Sequence, residues 1–174
     1  MEGDESDSLF IIESGIVKVF AGNREGKNVT LDFIGEGEYF GELALLDDLP
    51  RSASVITLTR ATFYTLSRQA FRLLMAERPS INLCVIQALS LKVRALTENV
   101  KDHALLDVYG RIIKVLKNQD NYQTVGRLTH QEIANIVGSS REMVSRIIKE
   151  LCMGEYIEQL PESFAVKKKL PDHW

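Results

Sequence analysis

A carboxylate and a guanidinium lie close together in the stretch Tyr39–Val55, which reads YFGELALLDDLPRSASV. Glu42 follows a glycine, and Arg51 comes nine residues later, after Pro50 and before small residues. A carboxylate accepts hydrogen bonds and a guanidinium binds anions, so the two could face one small molecule in a pocket. The alternative is a salt bridge on a surface turn, which would contribute little to stability. The residue types alone leave both interpretations open.

The elements around this stretch are predicted to be short β-strands between residues 9 and 66. The runs LFIIESGIVKVFA, NVTLDFIG and SASVITLTRATFYTL are rich in apolar and β-branched residues. Turn-forming segments, GNREGKN, GEGE and DDLP, separate them. Several short strands joined by glycine turns predict a small antiparallel barrel or jelly roll.

A change to helical spacing follows Leu66. The segment SRQAFRLLMAERPS predicts a short helix that stops before Pro79, and Ser80–Tyr109 contains neither glycine nor proline. Apolar residues then alternate at spacings of three and four, with β-branched residues at the a positions and leucine at the d positions. This pattern favours a parallel two-stranded coiled coil, although an amphipathic helix packed on its own domain has the same spacing. The predicted dimer-interface residues are Ile86, Leu89, Val93, Leu96 and Val100.

The C-terminal part contains the pattern of two short helices across a glycine turn. Thr129 and Glu132 predict a capping box that opens the first helix, and Gly138 suits the left-handed position that ends it. Ser139 and Glu142 predict a second capping box. The pattern is typical of a helix-turn-helix. Two short strands predicted around the sequence PES would add a wing.

The second helix of this motif carries residues suited to reading DNA. Arg141 and Arg146 can bind guanine bidentately, and Glu142 can accept from cytosine N4. A helical hairpin with a solvated charged face is the alternative. The remaining predicted DNA-binding residues, mainly for phosphates, are Thr129, Gln131, Ser139, Ser140, Ser145 and Lys149.

The order of these motifs resembles one bacterial family. A β-roll with FGELALLDDLPRSASV, a long helix, LLDVYGRI and HQEIANIVGSSREMVSRIIKEL closely resemble the cyclic AMP receptor protein family, which includes the fumarate-nitrate regulators. The resemblance implies an α+β fold with a jelly-roll-like cyclic-nucleotide-binding domain, a dimerisation helix and a winged helix-turn-helix. The expected domains are residues 1–106, with the dimerisation helix at about 80–106, and residues 107–174.

The resemblance also implies roles for the residues of the opening stretch. Glu42 would accept from the ribose 2′-hydroxyl and Arg51 would pair with the cyclic phosphate. Leu96 and Thr97 match a Thr-Ser pair that reaches the adenine amine, and Leu96 cannot form that hydrogen bond. The other implied ligand residues are the amides near Gly41, Leu43 and Ala44, the hydroxyl of Ser52, and apolar Val19 and Leu31 beside the base.

The sequence predicts no metal, haem or iron–sulfur cluster. Its two cysteines, Cys84 and Cys152, form no CxxC, and none precedes Cys84, whereas the fumarate-nitrate branch uses N-terminal cysteines. Cys84 and His103 are interpreted as helix-packing residues. An enzyme is not expected, because the sequence contains neither a Ser-His-Asp or Cys-His arrangement nor a phosphate loop of the GxxxxGK[ST] type.

The charge is uneven along a chain of net charge −3. Residues 1–106 contain 11 Lys and Arg against 15 Asp and Glu, net −4, whereas residues 107–174 contain 10 against 9, net +1. A solvated face explains this as well as DNA binding does. No apolar run is long enough to span a membrane, and the acidic start lacks the features of a secretory signal, which predicts a cytoplasmic protein.

The resulting hypothesis is a homodimeric transcription regulator controlled by a cyclic nucleotide, with cyclic AMP favoured. It would bind palindromic DNA with TGTGA-like half-sites about 34 Å apart, and RNA polymerase is a further candidate partner. One alternative keeps the architecture but is constitutive or answers another effector, as Leu96 suggests. Another is a signalling adaptor or kinase regulatory subunit, in which the helix-turn-helix would have no role.

Overall fold

The computed structural model describes residues 1–23, 26–118, 128–160 and 163–171. The chain divides into two compact units. The first contains Met1–Ala21 and Asp32–Val100, and the second contains Gly22–Leu31 and Lys101–Trp174. This division falls inside one long helix, between Val100 and Lys101. The predicted domain boundary between residues 106 and 107 stays a prediction.

Six strands form two three-stranded sheets. The strands are β1 Ser8–Ser14, β2 Val17–Gly22, β3 Asn28–Ile34, β4 Tyr39–Phe40, β5 Ser54–Thr57 and β6 Thr62–Ser67. The sheets have the orders β4-β1-β6 and β3-β2-β5. Strand β1 runs antiparallel to β6, with Ile11 opposite Tyr64. The run SASVITLTRATFYTL, read as one strand-rich segment, forms the two strands β5 and β6.

A glycine allows the sharp turn between β1 and β2. Gly15 has φ +95, and a Cβ there would lie 2.6 Å from the carbonyl oxygen of Arg60. Apolar side chains behind this turn form small cores rather than one large one. The buried residues are Ile12, Val17 and Ile34 in one cluster and Leu9, Leu45 and Phe71 in another.

Three helices follow the strands or interrupt them. They are α1 Leu43–Leu46, α2 Arg68–Glu77 and α3 Pro79–Leu105. The side chain of Ser67 caps α2 by accepting from the amide of Ala70. Helix α3 begins at a proline, which is tolerated in the first turn because its missing N–H has no intrahelical partner there. None of the 27 residues of α3 is fully buried in the single chain.

The second unit is mainly helical around one core. Its elements after α3 are α4 Val108–Lys117, α5 His130–Val137, α6 Arg141–Met153, and the antiparallel strands β7 Ile157–Gln159 and β8 Phe164–Val166. Asp107 caps α4, since its Oδ1 accepts from the amide of Gly110 at 2.7 Å. The largest fully buried side chains of the second unit are Ile112, Leu116, Ile133, Ile148 and Leu151.

The predicted fold class is confirmed: two sheets, a long helix and a winged helix-turn-helix follow in the predicted order. The prediction of a second capping box at Ser139 and Glu142 is wrong. Ser140, not Ser139, caps α6, and its side chain accepts from the amide of Met143. The amide of Ser139 instead donates to the carbonyl of Ala134 and completes the turn after α5. Within the described residues, no helix is long and apolar enough to cross a membrane.

Candidate functional site

Arg51 lies half-buried in the first unit and binds backbone carbonyls rather than a carboxylate. Its Nη1 donates to the carbonyl of Gly41 at 2.9 Å, and its Nη2 donates to that of Ser8 at 2.6 Å. Burial lowers the pKa of Arg51, and the nearby carboxylates of Glu42 and Asp7 oppose this effect. Glu42 is therefore close enough to act on Arg51 electrostatically, but the two do not form the surface salt bridge that the sequence left open.

Gly41 makes this arrangement sterically possible. Its φ is +88, and a Cβ there would lie 2.1 Å from Nη1 of Arg51. Any side chain would have to displace the guanidinium, besides adopting a backbone conformation that favours glycine. The glycine before Glu42 is thus the one sequence signal that marks where Arg51 packs.

Glu42 is buried, with only 3% of its surface exposed. Its Oε1 lies 2.7 Å from Nζ of Lys92, which comes from α3. The same Nζ lies 5.2 Å from the ring centroid of Tyr39. Burial raises the pKa of Tyr39, with the charge of Glu42 acting in the same direction. A buried carboxylate needs a partner, and sequence reasoning missed Lys92, which stands among the apolar residues of α3 without any motif around it.

We expect Lys92→Met to destabilise the folded chain by about 1–2 kcal/mol, less than for a fully buried pair because Lys92 is partly exposed. The variant leaves the buried carboxylate of Glu42 without its cation. Chemical denaturation measures the effect. The double variant Lys92→Met with Glu42→Gln should lose less free energy of unfolding than the sum of the losses in the two single variants. Arg94→Met removes an exposed cation from the same helix and should change stability by no more than about 0.5 kcal/mol. Equal losses for Lys92→Met and Arg94→Met would contradict the assignment.

Helix α1 presents two amides beside Glu42. The amides of Leu45 and Leu46 donate to the carbonyl of Glu42, at 3.0 and 3.1 Å. Among the described residues, none accepts a hydrogen bond from the amides of Leu43 or Ala44. Their role as donors to an anion stays a prediction.

The residues predicted to meet the base, together with Ser52, predicted to bind the phosphate, are dispersed over several elements. Val19 is half-buried in β2, whereas Leu31 in β3 and Ser52, before β5, are exposed. Thr97 is exposed on α3, and its hydroxyl donates to the carbonyl of Val93 at 2.8 Å. Thr97 therefore keeps an oxygen that can accept. The structure brings Gly41, Glu42 and Arg51 together and adds Lys92. The ligand-binding roles of all the predicted site residues stay predictions.

The apolar stripe of α3 is largely exposed in the single chain. Val93 is 61% exposed, and Ile86, Leu96 and Val100 are also more than half exposed. Leu89 is half-buried. Exposed apolar residues at coiled-coil spacing are expected where a second helix packs.

The helix-turn-helix has the predicted first helix and turn. Thr129 Oγ1 accepts from the amide of Glu132 at 3.2 Å, and the amide of Thr129 donates to Glu132 Oε2 at 2.9 Å. Gly138 is left-handed, with φ +63. The hydroxyl of Thr129 also donates to Glu132 Oε2. The hydroxyl hydrogen of Thr129 is therefore already used in a hydrogen bond within the capping box.

Helix α6 separates an apolar face from a polar one. Val144, Ile147, Ile148 and Leu151 are buried. The exposed residues of the other face are Arg141, Glu142, Arg146 and Lys149.

Local contacts hold several of the predicted DNA-binding side chains. Nη2 of Arg146 lies 2.9 Å from the sulfur of Met143. Ser145 is half-buried and shares a 2.9 Å hydrogen bond with Nδ1 of His130. Gln131, on α5, donates to Asn135. Ser145 is thus tied to α5, whereas the two arginines stay on the solvent side.

No group of three potential metal ligands occurs among the residues that the structure describes. Cys84 is exposed on α3 in the single chain, and its interpretation as a helix-packing residue stays a prediction. His103 is also exposed, with its ring near Gly138, where a Cβ would lie 2.8 Å from its Cε1.

Comparison with known proteins connects both halves of the chain to one family. Residues 1–78 match the cyclic nucleotide-binding domain, and residues 127–152 match the description "Bacterial regulatory proteins, crp family". A CRP-like cAMP-activated global transcriptional regulator of Mycobacterium tuberculosis is 32% identical over 158 residues, which cover 86% of this chain and 70% of that protein. The chain belongs to the Crp family of bacterial regulatory proteins. This family consists of transcription regulators and not of enzymes.

Other members of the Crp family are similarly close. The cAMP-activated global transcriptional regulator CRP of Salmonella typhimurium is 34% identical over 161 residues, covering 86% of this chain and 76% of that protein. Among solved structures, the c-di-GMP responsive global regulator CLP of Xanthomonas campestris superimposes with a TM-score of 0.86 at 24% identity, covering 97% of this chain and 88% of that one. The fold is therefore that of Crp-family regulators, as the resemblance implied.

Proposed function

We propose that this chain is a homodimeric, sequence-specific DNA-binding regulator whose DNA affinity is controlled by cyclic AMP. The observation that carries the proposal is the arrangement around Gly41. The guanidinium of Arg51 packs against Gly41, where a Cβ would lie 2.1 Å from its Nη1, and the buried carboxylate of Glu42 belongs to the next residue. A cyclic nucleotide needs one fixed cation for its phosphate and one fixed acceptor for its ribose hydroxyl.

The phosphate would bind at Arg51, whose guanidinium donates to the carbonyl of Gly41, two residues before α1 begins. The amides of Leu43 and Ala44, with that of Gly41 and the hydroxyl of Ser52, would donate to the phosphate oxygens. Arg51 would exchange at least one backbone carbonyl for the stronger anionic acceptor. Glu42 would accept from the ribose 2′-hydroxyl while Lys92 keeps its charge compensated.

The residues proposed to contact the base are the apolar Val19 and Leu31, together with Thr97. The hydroxyl of Thr97 donates within its own helix, so it presents an acceptor to the ligand. An acceptor suits an exocyclic amine, which adenine has and guanine lacks at the same position. Leu96 offers only apolar contact there.

DNA would be read by α6, with Arg141 and Arg146 on guanines and Glu142 on a cytosine of a TGTGA-like half-site. Two copies of α6 would enter successive major grooves about 34 Å apart on a palindrome. The phosphate contacts proposed for this interface are Thr129, Gln131, Ser139, Ser140, Ser145 and Lys149. Thr129 and Ser145 would contact phosphate only through atoms left over from their internal hydrogen bonds.

Dimerisation through α3 is supported by its largely exposed apolar stripe, Ile86, Leu89, Val93, Leu96 and Val100, of which Leu89 is half-buried. Nucleotide binding beside Lys92 and Thr97 would shift an existing equilibrium of this helix pair toward the state that fits DNA. RNA polymerase is a further proposed partner, and a cytoplasmic location is proposed because the DNA is there.

Val93→Glu should convert the dimer into a monomer, because two carboxylates would then face each other in the helix seam. Light scattering during size-exclusion chromatography measures the mass. Leu91→Glu is the matched control: Leu91 is 68% exposed on the same helix but lies off the stripe. A Val93→Glu protein that stays dimeric, or equal effects of both changes, would exclude α3 as the interface.

A cyclic AMP titration coupled to DNA binding tests the proposal as a whole. Calorimetry should detect heat on adding cyclic AMP to the full chain. The affinity for a palindromic TGTGA duplex should then rise by the roughly 5- to 150-fold typical of allosteric coupling. No heat together with unchanged DNA affinity would reject the nucleotide part of the proposal.

A second candidate keeps the architecture but uses another effector or none. Leu96 favours it, because a leucine cannot form the base contact that the family makes with a hydroxyl. In that case the chain would bind the duplex at full strength without nucleotide, and Arg51→Ala would leave DNA binding intact. We propose no metal, haem or iron–sulfur cofactor for either candidate.

A further inference from the structure

Arg111 of α4 binds the ends of two other helices in the second unit. Its Nε donates to the carbonyl of Val137, the last residue of α5, at 2.9 Å. Its Nη1 donates to the carbonyl of Leu106 at 2.7 Å, directly after α3 ends at Leu105. Carbonyls at helix C-termini lack intrahelical partners and attract cations. One guanidinium therefore caps two helices that are far apart in the sequence.

Helix α4 itself gives no reason for an arginine at this position. Arg111 lies in its first turn, where a positive charge opposes the helix dipole. Its backbone amide donates to the carbonyl of Asp107 as the helix continues. The side chain is accounted for by the carbonyls of Leu106 and Val137 rather than by α4.

Two further contacts connect the last turn of α3 to the rest of the second unit. Lys114 of α4 forms a 2.5 Å ion pair with Asp102, in the last turn of α3. His103, one residue later, lies against Gly138, the left-handed residue between α5 and α6. The last turn of α3 is therefore held to α4 by Lys114, but its hydrogen-bonded connection to the end of α5 runs through Arg111.

We propose that Arg111 is a positioning residue that couples the last turn of α3 to the turn preceding the recognition helix α6. Its planar guanidinium keeps the carbonyls of Leu106 and Val137 at a set separation. A movement of one carbonyl must carry the other with it or break a hydrogen bond. Because α6 begins at Arg141, three residues after Gly138, a shift at the end of α3 reaches the DNA-reading face by this route. The part of this inference that concerns nucleotide control rests on the proposed function.

Hydrogen exchange on the full chain tests the coupling without any nucleotide. Arg111→Lys keeps the charge but cannot span both carbonyls. It should speed exchange at least about tenfold, the effect of losing one charged hydrogen bond, both in residues 102–106 and in residues 138–140. The matched control Lys114→Met removes the α3–α4 ion pair and should speed exchange in 102–106 only. Unchanged exchange in 138–140 for Arg111→Lys, or faster exchange there for Lys114→Met as well, would overturn the proposal.

A second measurement separates positioning from general stability. The ratio of DNA affinities with and without cyclic AMP should fall toward one in Arg111→Lys. A merely structural role would weaken both affinities equally and leave the ratio as in the natural chain, which would overturn the coupling role. If the natural chain itself has a ratio of one, the proposed nucleotide control fails, and the exchange experiment still decides on Arg111.

Discussion

Replacing Arg51 by glutamine should weaken cyclic AMP binding by at least about 100-fold, since two charge-assisted hydrogen bonds to the phosphate would be lost. Glutamine keeps a donor and much of the length, but it has no charge to offset that of the phosphate. Calorimetric titration of the purified chain measures the affinity. DNA binding should then no longer respond to nucleotide.

The control for Arg51 is Arg72 on α2, which is exposed and binds Asp48 at 2.9 Å. Arg72→Gln removes the same charge without touching Gly41 and should leave nucleotide affinity unchanged. Because Arg51 also holds the carbonyls of Gly41 and Ser8, its variant could unfold, so thermal melting is measured alongside. A folded Arg51→Gln protein with natural affinity would exclude Arg51 from the site.

The second large effect is expected from Arg146→Ala in the recognition helix. Loss of a bidentate contact to guanine should weaken binding of the TGTGA duplex by roughly 10- to 100-fold. The loss should disappear for duplexes in which that guanine is replaced, because specificity at that position is gone. The contact of Arg146 with Met143 is local to α6, so the variant should fold normally. Competition binding with a set of single-base variants measures this.

Lys149→Ala is the comparison for Arg146. Lys149 is exposed on the same helix and is proposed to contact phosphate. Its loss should weaken binding to all duplexes alike and lower the slope of affinity against salt by about one. If Arg146→Ala also weakened all duplexes uniformly, Arg146 would be a phosphate contact and the base-reading assignment would be wrong.

Features that depend on neighbours in the sequence were predictable. The capping box of Thr129 and Glu132 needs only a spacing of three residues, and the left-handed Gly138 follows from its position after an apolar helix. The strands and the length of α3 follow from local apolar periodicity and from the absence of glycine and proline. The pairing of β7 with β8 was also foreseen from two short runs around a turn.

The N-cap of α6 could not be assigned from local sequence rules. Ser139 and Ser140 are adjacent and equally suited to cap a helix, so composition cannot choose between them. The choice depends on the turn after α5, where the amide of Ser139 is already used by the carbonyl of Ala134.

The sequence by itself determined the elements, their order, the helix-turn-helix and the identity of the two charged residues beside Gly41. Only the tertiary structure decided what those charges touch. Glu42 meets Lys92 across 50 residues of sequence, and Arg51 binds the carbonyl of Ser8 across 43. The physical reason is that helices and strands follow from short-range spacing, whereas a buried charge takes whichever partner folding brings within hydrogen-bonding distance.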